Sequence, residues 1–102
     1  MARMAERRAG QRVEFSVACT LRRRSGSAIA ARTVDVGPGG MSVTTTRPLT
    51  TDEVLHFDLP LAPDDVVDGQ ARVLREQAYR VYALRFEALP EPARARLAGV
   101  SG

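Results

Sequence analysis

The sequence has one cysteine, one histidine, no tryptophan and no lysine, and only 5% of its 102 residues are aromatic. A lone Cys19 can form neither an internal disulfide nor a cysteine-based metal site. This excludes a disulfide-stapled secreted scaffold and a zinc module, and it favours a reducing compartment. No run of about 18 apolar residues exists to span a bilayer. The opening Met1-Ala2-Arg3-Met4-Ala5-Glu6-Arg7-Arg8 lacks the apolar stretch of a signal peptide, so a cytoplasmic location without membrane insertion is expected. His56 has no second His or Cys with which to share a metal, and the vicinal Asp64-Asp65 reads as a solvated acidic turn. No catalytic residue, metal site or cofactor is therefore expected, and the chain does not read as an enzyme.

What the sequence does have is enough apolar material for one core. Hydrophobic residues make up 44% of the chain, and a domain of this size buries somewhat over about 60% of the surface its unfolded form exposes. One small domain without a metal or disulfide staple follows. All 15 positive residues are Arg, and their position says more than the net charge of +3. Residues 1–24 carry seven Arg against two Glu, a local charge of +5, whereas residues 25–102 come to −2. Segment 52–68 holds six acids and no Arg. One end of the chain attracts anions and the middle repels them.

Val13, Phe15, Val17, Cys19 and Leu21 fall on every second position, the period of a half-buried strand. The polar tip 22–27 supplies turn residues before a second strand over 28–36, and the pair reads as a hairpin. Asp35-Val36-Gly37-Pro38-Gly39-Gly40 then interrupts the pattern with a loop of defined shape, in which positive φ is expected at one or more Gly. Extended runs follow over 41–45, 54–59, 70–75 and 79–87, with 61–68 as an acidic turn. In the last run Tyr82, Leu84 and Phe86 share a face opposite Val81 and Ala83. Six short strands at close spacing predict an all-β fold, a six-stranded antiparallel β-barrel, because closure removes exposed edges. Pro90, Glu91 and Pro92 suit a first helical turn, Leu89, Ala93 and Leu97 recur every four residues, and Gly99 is a natural stop. A short C-terminal helix of two turns, packed on the barrel through its Leu face, is expected. Residues 1–12 form an Arg-rich arm read as flexible, and 13–102 the barrel domain.

Two constellations suit anions and planar bases. The first is the arm Arg7-Arg8-Ala9-Gly10-Gln11-Arg12, whose guanidinium forks can grip phosphate or the O6/N7 edge of guanine and stack on a base. The second is the 35–40 loop, where Gly lets a ligand approach the backbone and the Asp35 carboxylate can accept from the N1–H and N2–H₂ donors of guanine. Taken singly, each also fits a blander reading, a solvated terminus and an ordinary Gly-rich turn.

Together they resemble a known family. Arg8-Ala9-Gly10-Gln11-Arg12 is an RxxxR, and Asp35-Val36-Gly37-Pro38-Gly39-Gly40 is similar to (D/N)xSxxG. This pairing, in this order and in a chain of this length, is the signature of PilZ domains. The resemblance implies a six-stranded barrel that binds the second messenger cyclic di-GMP. It implies that Arg8 and Arg12 grip phosphate and guanine with assistance from Arg7, and that Asp35, Gly37 and Gly40 line the receiving loop. At Gly37 the sequence departs from the motif: the hydroxyl of the usual Ser is missing, a hydrogen bond of about 0.5–1.5 kcal/mol. The expected function is a cyclic di-GMP receptor or adaptor that changes its interaction surface for an effector protein. The alternative is a PilZ-like protein-interaction module without nucleotide. A nucleic-acid-binding barrel fits less well, since aromatics for base stacking are few and the acidic middle would repel a backbone.

Overall fold

The computed structural model describes the backbone of residues 13–101 and the side chains of residues 13–97. Arg7, Arg8 and Arg12, with the whole arm expected over residues 1–12, lie outside the described residues. Among the described residues, seven strands and one helix follow in order: β1 (Val13–Glu14), β2 (Ala18–Arg22), β3 (Ala28–Val36), β4 (Gly40–Thr45), β5 (Val54–Ala62), β6 (Asp65–Ala78), β7 (Val81–Ala88) and α1 (Glu91–Ser101). All pairings are antiparallel. The sheet runs β1-β3-β2-β5-β6-β7-β4, and the further pairing of β3 with β4 closes β3-β2-β5-β6-β7-β4 into the expected six-stranded barrel. The short β1 is the additional strand.

Alternation of apolar and polar residues builds the ring. Along β3 every second residue from Ile29 to Thr33 is buried, and Leu21, Ile29, Val43, Leu55, Phe57, Leu59, Val73 and Leu84 meet in one core. Phe57 and Phe86 pack with ring centroids 5.2 Å apart. Cys19 belongs to the same core, and burial pushes its thiol up to about 11.

Four expectations are corrected. The first strand is not continuous: it pairs with β3 as Val13↔Val36 and Glu14↔Asp35, then as Ala18↔Arg32, which leaves one extra residue on its side. This is a β-bulge. The buried Thr33 fills the gap, its hydroxyl accepting from the Val17 N–H at 2.9 Å and donating to the Phe15 carbonyl. Segment 61–68 is not a turn but the ends of β5 and β6, which pair from Pro60↔Val66 to Val54↔Arg72. Only Pro63 and Asp64 turn, and the buried Val67 between exposed Val66 and Asp68 keeps the period of two. The last strand starts at Val81 because Tyr79-Arg80 forms the turn, with Arg80 at φ 57°. Finally, α1 passes through Gly99 and is 11 residues long. Glycine lowers helix propensity by about 1 kcal/mol without ending a helix already held by packing, and Ala93 and Leu97 anchor this one in the core.

Candidate functional site at the glycine loop

The turn from β3 to β4 is held from three sides by its own backbone. Gly37 N–H donates to Gly40 O at 2.9 Å across the turn, and Phe86 N–H of β7 donates to Gly39 O at 3.0 Å. From α1, the Arg94 guanidinium donates to Pro38 O at 3.3 Å. The positive φ expected here is absent: Gly26, at the tip of the β2–β3 hairpin, is the glycine with φ +103°, whereas 37–40 turn without entering the left-handed region. Gly37 and Gly40 are both buried.

Register places the neighbours. Asp35 is half-buried and stands between Glu14 of β1 and Ser42 of β4. Ser42 in turn pairs with Ala83 of β7, and Gly40 with Arg85. Because Val36, Met41 and Leu84 pair inward in the core, Asp35, Ser42 and Ala83 belong to the opposite, outward row. Ser42 is nevertheless buried, and its hydroxyl donates to Gln77 Oε1 at 3.2 Å. Beside this row Glu87 receives Arg72 Nε at 3.0 Å and Arg85 Nη2 at 2.9 Å. Hydrogen bonds from Arg72 and then Arg85 hold its carboxyl well down, at about 2.

The structure thus brings Asp35, Gly37 and Gly40 together. Val13, the first described residue and the one that follows Arg12 in sequence, is the register partner of Val36, next to Gly37. Sequence reasoning missed Ser42 and Arg94. Ser42 was within reach, two positions beyond Gly40 on an alternating strand. Arg94 was not, because its role arises from helix packing. At the Arg22–Arg24 tip of the other hairpin, Arg23 is engaged away from this loop. Arg23 donates to Glu53 at 2.6 Å and to Pro48 O at 2.6 Å, tying the β2–β3 hairpin to the segment before β5. Burial pushes Glu53 up, but hydrogen bonds from Arg23 and the Thr50 N–H outweigh it and hold its carboxyl below the usual range.

An acceptor carboxylate, a close-packed glycine turn and adjacent arginines form a surface able to receive a planar, donor-edged, anionic ligand. The family model for the PilZ domain matches residues 6–100. Several solved structures share the fold. The Bacillus subtilis inhibitor of motility (MotI/DgrA) superposes with a TM-score of 0.77 at 16% identity, covering 94% of this chain. This chain spans about half of that protein, 49% of its length. The PilZ domain of CeSA from a cellulose-synthesizing bacterium superposes with a TM-score of 0.69 at 14% identity, over 89% of this chain and 94% of that one. Among curated proteins none matches the sequence.

Proposed function

Because the chain belongs to the PilZ domain family, we propose that it is a receptor module for cyclic di-GMP, one that changes its interaction surface for an effector protein when the nucleotide binds. The nucleotide lies against the glycine loop, where Asp35 accepts from a guanine edge and the backbone of Gly37 and Gly40 permits close approach. Arg8 and Arg12, with Arg7 beside them, grip phosphate and the guanine O6/N7 edge. The observation that supports this reading best is the Val13↔Val36 register, since Val13 follows the RxxxR segment directly in sequence and Val36 belongs to the (D/N)xSxxG-like loop.

A second reading has one specific observation in its favour. Gly37 carries no hydroxyl where the motif has Ser, which suits a PilZ-like module that meets a protein partner without nucleotide. Titration calorimetry separates the two. Heat with cyclic di-GMP and none with GTP at equal concentration is expected for the receptor. No heat at high micromolar cyclic di-GMP would leave the interaction module as the function.

A further inference from the structure

On the far side of the ring from the glycine loop, the outer face of β5 and β6 gathers three ligand-type side chains that the sequence keeps apart. His56 and Asp58 are two residues apart on β5 and so share a face. Asp68 of β6 is the register partner of Asp58. One ligand atom from each of the three lies within 4.8 Å of the others. His56 Nε2 and Asp58 Oδ1 are 3.6 Å apart, close to the roughly 3.3 Å between two donors of a tetrahedral zinc site with bonds near 2.0–2.1 Å.

We propose that His56, Asp58 and Asp68 form a surface site for a first-row divalent cation of the zinc class, with the imidazole and one oxygen from each carboxylate as ligands. Charge and orientation both support it. Two carboxylates directly opposite each other on antiparallel strands repel, and a divalent cation between them converts that repulsion into coordination. Asp58 is already oriented for the task. Its Oδ1 faces His56, while its Oδ2 faces Arg22 Nη2 at 3.7 Å, so the guanidinium steadies the carboxylate from behind as outer-shell partners of metal ligands do. Gln70, the register partner of His56, stands next to the cluster with a further carbonyl oxygen. A set of one nitrogen and two oxygens selects zinc-class ions over magnesium or calcium, which favour all-oxygen shells. With three protein ligands the cation keeps a position for water or for a donor from another molecule. The site is independent of the proposed nucleotide function.

The single histidine of the chain makes the test direct. Zinc chloride is titrated into the full-length protein, with the His56 imidazole resonances followed by NMR and the stoichiometry by calorimetry. One equivalent is expected to bind and to move the imidazole resonances, with magnesium doing neither at the same concentration. H56A and D68N should each bind zinc at least tenfold more weakly. Metal-free D68N should melt no lower than the wild-type protein, because it removes the Asp58–Asp68 repulsion, yet zinc should no longer raise its melting temperature. Imidazole resonances unmoved by one equivalent of zinc, or a D68N protein that responds to zinc as the wild type does, would overturn the site.

Discussion

Thr33 does for the first strand what a backbone partner does elsewhere in the ring. Its hydroxyl satisfies both the Val17 N–H and the Phe15 carbonyl where the bulge takes them off the ladder, and at 2% exposure water has little access to replace it. Thr33→Val keeps the shape and deletes the hydroxyl. It should cost about 1–3 kcal/mol, the penalty of leaving such groups unmet, and lower the melting temperature by roughly 4–8 °C per kcal/mol in a domain of this size. A Thr33→Val protein that melts with the wild type would mean that those two groups find other partners. Gly37 is the second residue on which much turns. Its backbone lies outside the left-handed region, so a serine can be introduced without the steric cost of positive φ. Gly37→Ser should tighten cyclic di-GMP binding by up to roughly tenfold, one hydrogen bond's worth. Because Gly37 is buried, the melting curve is read alongside the affinity. A variant equally stable that binds no better would show that the missing hydroxyl does not limit the site.

At the scale of elements, legibility followed the period of two. The bounds of β3, Ala28 and Val36, match the extended run legible in the sequence, although burial alternates only as far as Val34 and the pairing with β4 shifts between Thr33 and Asp35, whereas β6 extends over 14 residues of which only 70–75 were legible. Residues 75–78 are all exposed, beside register shifts with β7 between Val73 and Arg75 and between Glu76 and Ala78, and carry no alternation, while 65–69 keep the period but their acids and glycine read as a turn. Pro63 does turn, but Pro60 misled for a related reason. Pro60 and Pro63 read as turn residues, yet Pro60 sits within β5 beside a shift in its pairing with β6, one of the places a sheet tolerates proline. The β6–β7 pair also carries its own electrostatic clamp, since Arg72 and Arg85 both donate to Glu87. The Glu87 carboxyl is held at about 2 against an ordinary 4.5. A depressed carboxylate contributes stability above its unfolded value, and the contribution is lost as pH falls through the folded one. The wild-type melting temperature should therefore fall more steeply than that of Glu87→Gln between about pH 4.5 and pH 2. Parallel slopes would indicate that the exposed clamp is screened to insignificance.

Across the whole molecule, the candidate site residues divide between what local pattern reveals and what only closure of the ring creates. Asp35, Gly37 and Gly40 were legible because they are contiguous and break a strand pattern. The partnership of Ser42 with Gln77, the grip of Arg94 on Pro38 and the meeting of His56 with Asp68 depend on strand register and helix docking, which no local spacing encodes. The same closure separates stability from the proposed recognition. Among the described residues the hydrogen-bonded ring begins at Val13, and Arg8 and Arg12 precede each of these strands in the sequence. Arg8→Ala and Arg12→Ala should leave the melting temperature of the free protein unchanged. With cyclic di-GMP at about 100 times its dissociation constant the wild-type protein gains about 2.7 kcal/mol, an upward shift of roughly 10 °C or more in a domain of this size. On the proposed reading each arginine contributes charge-assisted hydrogen bonds of about 1.5–3 kcal/mol, so its removal should cost at least about tenfold in affinity and, at the same ligand concentration, shrink the shift by half or more in either variant. A shift retained in full by both variants would assign nucleotide recognition to the glycine loop and its neighbours Asp35, Ser42 and Arg85, and would remove the RxxxR segment from the site.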